Sequence, residues 1–129
     1  MICPYCGNKA VWVSNAVVYG EPLGKSHMIY YCSDCGAYVG CHNNTRKPLG
    51  TMANAELRKL RIRAHNHIDK LYKNGGITRK ELYKGLKLYF GKEVHVGESN
   101  KEMCMELINL ELIKIKLLLF SSGVKIGMV

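Results

Sequence analysis

Two Cys-x-x-Cys pairs constrain the fold of this chain more than any other feature of its sequence. Cys3 and Cys6 form the first pair and Cys32 and Cys35 the second, with 25 residues between the pairs. Each pair is followed by glycine, which tolerates the left-handed backbone of a tight turn. Two intervening residues let both sulfurs of a pair reach one ion, and four thiolates complete the tetrahedron that zinc prefers. The spacing therefore predicts one structural zinc ion held by all four cysteines.

The cellular setting inferred from the sequence favours metal binding over disulfides. A redox Cys-x-x-Cys would open a helix in a pattern of alternating strands and helices, whereas both pairs here adjoin strand-like stretches. Met1 is followed almost at once by Cys3, without the basic and apolar regions of a signal peptide. No apolar run approaches the roughly 18 residues of a spanning helix. We therefore expect a cytoplasmic protein without a membrane partner, whose thiols are reduced or metal-bound.

Three other potential ligands lie outside the two pairs. Cys41 and His42 follow the second pair closely. As an alternative, either of them could replace one of the four paired cysteines as a zinc ligand. His42 is otherwise expected as a solvated loop side chain. Cys104 has apolar neighbours in a predicted helix, where a free cysteine usually acts as a small buried hydrophobe.

The order of the remaining elements predicts an α+β fold. Stretches rich in β-branched and aromatic residues predict strands at 10–19, 27–31 and 37–41. Together with the two cysteine turns they make a three-stranded zinc ribbon over residues 1–50. Apolar residues spaced by three and four, and two capping boxes, then predict about three helices packed with the ribbon in one compact unit. The helical region is residues 51–129, with helices near 52–73, 78–90 and 99–115. The tail, residues 113–129, fits a helix, a strand or a frayed end.

Positive charge is concentrated in the middle of the chain. The formal net charge is +9, and residues 51–90 carry ten Lys or Arg against three acidic residues. Such asymmetry favours a polyanionic partner, with nucleic acid first, although a solvated basic surface is the alternative. The residues predicted to contact nucleic acid or another partner lie in the linker and the first helix: Arg46, Lys47, Arg58, Lys59, Arg61, Arg63, His65 and Lys70.

Several stretches are more specific than the cysteine spacing. They are "CPYCGNKAVWVSNAVVYG", "YYCSDCGAYVGCH", "PLGTMANAELRKLRIRAH" and "VHVGESNKEMCMELI". Over roughly residues 2–110 the chain resembles the small zinc-finger-containing proteins of phages and prophages, the domain of unknown function numbered 3268. The resemblance implies a viral or prophage origin, a bacterial host cell and a zinc finger built by Cys3, Cys6, Cys32 and Cys35. It implies no activity, and the tail after about Leu112 departs from the family pattern.

Three classes of function remain open. The first is nucleic-acid binding through the basic helix, with tyrosines on or near the strands available to stack on bases. The second is a protein-binding inhibitor or adaptor that acts on a host nucleoprotein, in an anti-defence or anti-CRISPR role. The third is a nuclease in which His42 and His65 act as base and acid. No carboxylate-rich second metal site is apparent, so the sequence favours a binding role over an enzymatic one.

Overall fold

The computed structural model describes residues 1–125, so the end of the tail at 126–129 lies outside the described part. The chain divides into two compact units, Met1–Lys59 and Leu60–Val129, which are described in turn. The strands and helices are β1 (Val11–Ser14), α1 (Ala16–Tyr19), β2 (Met28–Tyr31), β3 (Tyr38–Gly40), α2 (Ala55–Gly75), α3 (Arg79–Phe90), α4 (Lys101–Ile108) and α5 (Leu112–Ser121).

The first unit is built on a three-stranded antiparallel sheet in the order β1-β2-β3. Trp12 of β1 pairs with Tyr30 of β2, and Tyr30 pairs in turn with Val39 of β3. A small core packs beside Tyr30; its buried members are Cys3, Ala10, Cys32, Ala37, Val39 and Met52. The predicted α+β class with an N-terminal three-stranded ribbon is therefore confirmed.

The first strand is shorter than the sequence predicted. A strand was expected over residues 10–19, but β1 ends at Ser14 and one helical turn, α1, follows. The buried Asn15 side chain donates to the carbonyl of Leu23 and accepts from the Leu23 N–H, both at 3.0 Å. These paired hydrogen bonds fold the chain back after Asn15, so local geometry overrides the strand propensity of the valines that follow.

The second unit is helical and includes most of α2. Among the described residues, the chain after the sheet has four helices of eight or more residues and a 3-10 turn at Val96–Glu98. The capping box predicted for α3 is present, because Glu81 N–H donates to the Thr78 hydroxyl and the Glu81 carboxylate accepts from the Thr78 N–H. None of the described helices is long and apolar enough to span a membrane.

The helix expected over residues 99–115 is two helices in the structure. α4 ends at Ile108 and α5 begins at Leu112. The carbonyl of Leu110, which a continuous helix would use internally, lies 2.8 Å from Nε2 of His67 on α2. A donating His67 ring satisfies this carbonyl and stabilises the break. The part of the tail that sequence reasoning left open, through Ser121, is helical.

A glycine determines how closely two helices of the second unit pack. α3 and α5 lie side by side, and Gly85 of α3 is fully enclosed in their interface. A Cβ atom at Gly85 would overlap the side chain of Ile115 and touch that of Leu119. Glycine lowers helix propensity, but at this position it allows the close approach of α5 that buries Ile115 and Leu119 completely.

Candidate metal centre and basic surfaces

The two Cys-x-x-Cys turns have the same backbone hydrogen bonds. Cys3 N–H donates to Asn8 at 2.8 Å and Cys32 N–H donates to Ala37 at 2.9 Å, so each turn is closed five residues on. The glycines that follow the pairs, residues 7 and 36, have φ of 77° and 72°. Residues other than glycine rarely adopt this backbone conformation, which accounts for the glycine after each pair. The repeated turn presents both sulfurs of each pair in the same way.

The four sulfurs predicted to bind zinc lie together. The sulfur atoms of Cys3, Cys6, Cys32 and Cys35 are all within 4.8 Å of one another. The Cys6 and Cys32 sulfurs are 3.5 Å apart. A tetrahedron with Zn–S distances of about 2.3 Å has S–S edges of about 3.8 Å, so the cluster has the size that one ion requires. These four cysteines can hold one metal ion.

The pKa values of the clustered cysteines show how strongly the four sulfurs influence one another. Burial raises the pKa of Cys3, but backbone N–H groups of Tyr5 and Cys6 outweigh it, and the net pKa falls to about 7. The nearby Cys6 sulfur, ahead of the loss of solvent, raises the pKa of Cys35 to about 12. The backbone N–H of Cys35 lowers the pKa of Cys32, yet burial and the Cys6 sulfur raise it overall. Sulfurs this close do not all ionise without a cation, so metal binding must displace protons.

One side-chain contact joins the two turns outside the sulfur cluster. Asn8, just after the first pair, donates to a carboxylate oxygen of Asp34, which lies between the cysteines of the second pair, at 2.6 Å. Cys3 and Cys32 are buried, whereas Cys6 and Cys35 lie at the surface. The cluster is thus half enclosed by the core and half exposed at the surface.

The other candidate ligands do not join the cluster. Cys41 is buried in the first unit and is not among the four clustered sulfurs. His42 is exposed in a loop, as expected, and its backbone carbonyl accepts from the Thr45 hydroxyl at 2.9 Å. Cys104 is fully buried, which agrees with its predicted role as a small apolar residue. His65 is exposed on α2.

Four of the basic residues predicted to contact a partner belong to the first unit. Arg46, Lys47 and Lys59 are exposed, and the Arg46 guanidinium lies over the Trp12 ring at 4.1 Å from its centroid. Arg58 is half-buried; it donates to the Ala53 carbonyl at 2.8 Å and lies over the Tyr38 ring at 3.9 Å. These contacts of Arg58 stabilise the start of α2 and limit its freedom to reach a ligand.

The other four predicted residues belong to the part of α2 in the second unit. Arg63, His65 and Lys70 are exposed. Arg61 is half-buried and its Nε donates to the Ser99 carbonyl at 3.0 Å. The structure adds two exposed residues that the sequence analysis did not select, Asn66 and Lys73, which continue the row that begins at Arg63. Their spacing from Arg63 by three and four residues would have identified them.

Comparisons with known proteins give one match. The model of a zinc-finger-containing domain family, DUF3268, matches residues 1–113. No curated protein and no solved structure matches the chain. The match includes the four clustered cysteines and extends through the first four helices of the chain, and it covers well over half of its length. The chain therefore belongs to the zinc-finger-containing domain family DUF3268.

Proposed function

We propose that this protein is a zinc ribbon whose single zinc ion is structural and which binds nucleic acid through an exposed basic face of α2. The zinc part is supported by the four sulfurs within 4.8 Å of one another. Tetrahedral sites with four sulfur ligands suit zinc or iron–sulfur chemistry, and the family is a zinc-finger family. Four thiolates leave no open position for a water or a substrate, so the ion stabilises the ribbon and takes no part in a reaction.

The nucleic-acid part rests on one observation, the row of exposed polar residues along α2. Arg63, Asn66, Lys70 and Lys73 are spaced by three and four residues, so they lie on one face of the helix. From Arg63 to Lys73 the row covers ten residue steps, or about 15 Å of helix at 1.5 Å per residue. Its three cations and one amide suit a phosphate backbone, because cations supply affinity and the amide adds a hydrogen-bonding group.

The second unit has the charge that such a face needs. It carries thirteen Lys or Arg against seven acidic residues. Half-buried Asp69, the acidic residue of α2 within this unit, is not a member of the exposed row. A polyanion is therefore attracted to the unit as a whole, and α2 provides the contacts at short range.

The experiment measures affinity for single-stranded DNA, duplex DNA and RNA by fluorescence anisotropy over a range of salt. Three phosphate contacts predict a slope of log K against log salt of about −2.7 for a duplex and −2.1 for a single strand. From about 50 to 200 mM salt the duplex affinity then falls about 40-fold. In the variant R63Q/K70Q/K73Q the slope for the duplex should approach zero, because the α2 contacts that release counterions are gone.

A matched control removes the same charge from another helix. Lys80, Lys84 and Lys87 are exposed on α3 at helical spacings of four and three residues, and Lys87 already pairs with Glu93 at 3.1 Å. The variant K80Q/K84Q/K87Q should keep most of the parental slope. Equal losses in both triple variants would show diffuse attraction and overturn the assignment to α2. Weak binding of all three nucleic acids, insensitive to salt, would overturn nucleic-acid binding itself.

A further inference from the structure

A cleft in the first unit has the chemistry of a nucleotide-binding site. Its volume is about 360 Å³, which falls in the range of small-ligand sites, about 300–1,000 Å³. It lies between the residues that lead into β2 and the loop after β3. Its lining residues are Trp12, Lys25, Ser26, His27, Met28, Asn44, Thr45 and Arg46. No carboxylate lines it, and Lys25 before β2 and Arg46 in the loop after β3 both contribute positive charge.

Hydrogen bonds to backbone carbonyls hold both walls of the cleft in place. On one wall the Ser26 hydroxyl donates to the Cys41 carbonyl at 3.1 Å, and the His27 carbonyl accepts from the Asn15 N–H at 2.6 Å. On the other wall the Tyr30 hydroxyl donates to the Arg46 carbonyl at 2.8 Å. The cleft is thus formed before a ligand arrives, which reduces the ordering cost of binding.

The charged side chains of the cleft have no acidic partner among the described residues. Lys25, His27 and Arg46 are exposed, and no carboxylate of the described chain lies within ion-pair distance of them. The Arg46 guanidinium lies instead over the Trp12 ring. The indole N–H of Trp12 is buried without an acceptor in the described chain, so no hydrogen bond fixes the ring. A cation paired with an aromatic ring, with a second cation in the same cleft, fits a ligand that joins a flat base to a phosphate.

The cleft lies away from the sulfur cluster along the sheet. Both cysteine turns are at the end of the sheet where β1 begins and β2 ends, because Val11 pairs with Tyr31 just before Cys32. The lining of the cleft runs from Trp12 to the other end of the sheet, where Ser14 pairs with Met28, and Lys25 comes three residues before Met28 in the sequence. The three residue steps from Val11 to Ser14 span about 10 Å, more than the screening length of about 8 Å at physiological salt. The negative charge of a zinc–tetrathiolate centre therefore does not prevent an anion from binding in the cleft.

We propose that this cleft binds one nucleotide of a single-stranded nucleic acid, with the base against the Arg46–Trp12 pair and the phosphate beside Lys25. This inference rests on the proposed nucleic-acid binding and names the form of nucleic acid that is bound. A base within a duplex is paired and stacked on both faces, whereas a base in a single strand is free to stack on a side chain. The Arg46 guanidinium provides a flat cation for that contact.

The protein contains a convenient reporter, because Trp12 is its only tryptophan. A base that packs against the Arg46–Trp12 pair should quench or shift the emission of Trp12. The titration uses a single-stranded oligonucleotide of about ten residues, the duplex of the same sequence and a mononucleoside phosphate. Excitation at the red edge of tryptophan absorption avoids the absorption of the bases. We expect a saturable change with the single strand, little change with the duplex and weak binding of the mononucleotide.

Two variants and a matched control test the residues of the cleft. Arg46→Gln and Lys25→Gln should each weaken single-strand binding about tenfold, the size of one stacking or phosphate contact. Lys9→Gln removes the same charge from an exposed residue of the same unit that does not line the cleft. It should weaken binding no more than about twofold. Both cleft side chains are exposed, so the variants should fold, which circular dichroism would verify.

The outcomes separate this inference from the proposed function. If the single strand binds with the expected salt slope but Trp12 emission stays constant and Arg46→Gln matches Lys9→Gln, the cleft is not the site while nucleic-acid binding stands. A duplex that changes Trp12 emission as strongly as the single strand overturns the single-strand assignment. A mononucleotide that binds as tightly as the oligonucleotide shows a free nucleotide to be the ligand and overturns it too. If no nucleic acid binds, the proposed function fails and the cleft assignment fails with it.

Discussion

Replacing Cys6 with serine tests the metal centre directly. The substitution removes one of the four clustered sulfurs and leaves an oxygen that is a poor zinc ligand. The first unit, Met1–Lys59, is short for a domain, and units of this size bury only about 60% of the surface that their unfolded chain exposes, which leaves their stability marginal. Two of the six buried residues in its core, Cys3 and Cys32, are themselves members of the sulfur cluster.

The expected loss of stability in Cys6→Ser follows from the short length of the first unit and from the two cluster cysteines in its core. At about 0.05–0.15 kcal/mol per residue, a unit of 59 residues has roughly 3–9 kcal/mol of stability. Structural zinc contributes about 10–16 kcal/mol of apparent binding free energy near neutral pH. Since the free energy of zinc binding exceeds the expected free energy of unfolding of the first unit, this unit should unfold when zinc is lost. Cys6→Ser should therefore lose both the zinc and the sheet of the first unit.

The assay combines metal analysis with a thermal melt. Zinc per chain is measured by plasma mass spectrometry after exposure to a chelator, and unfolding is followed by circular dichroism. The matched control is Cys41→Ser, which changes a buried cysteine of the same unit outside the cluster. It should keep one zinc per chain and lose about 1–2 kcal/mol of stability. A Cys6→Ser protein that keeps one zinc and melts like the parent would refute the four-cysteine assignment.

Two further substitutions test the packing described above. Gly85→Ala should lower the free energy of unfolding by about 1–2 kcal/mol, because overlap with Ile115 outweighs a helix-propensity gain of about 1 kcal/mol; the exposed neighbour Lys84→Ala should change it little, and chemical denaturation measures both. Arg58→Ala should also cost about 1–2 kcal/mol, since it removes a hydrogen bond to a carbonyl and a cation–π contact. Lys59→Ala is its control, and equal melting temperatures for these two variants would contradict a structural role for Arg58.

Much of the fold follows from local sequence signals. The cysteine pairs with their glycines predict the two turns and their closeness, because the chemistry of one tetrahedral ion fixes both. The capping box at Thr78 predicts the start of α3, since it involves residues only three apart. The β1 strand is cut short by Asn15, whose partner is eight residues away. The break between α4 and α5 involves His67, which lies 43 residues from its partner. Periodicity within a window does not detect such contacts.

The candidate binding residues show the same division between local and non-local information. Charge and helical spacing identify the exposed face of α2, including Arg63 and Lys70, without knowledge of the fold. The cleft was not predicted, because Trp12 and Arg46 come together only when the loop after β3 folds back beside β1. In the sequence, Arg46 followed by Lys47 is not distinguishable from other pairs of basic residues. Only the folded structure shows that Arg46 contacts Trp12, the single tryptophan.

The distribution of charge gives the two units different roles in the proposed binding. The first unit has six Lys or Arg against three acidic residues, a formal +3. A zinc ion with four thiolates carries −2, which leaves the zinc-loaded first unit near +1. The second unit keeps its formal +6. Long-range attraction, and hence most of the salt slope, should therefore come from the second unit. The preference for unpaired bases should come from the cleft.

Losing the α2 cations should flatten the salt slope and keep the preference for unpaired bases. Losing Arg46 should reduce that preference and leave the salt slope nearly unchanged.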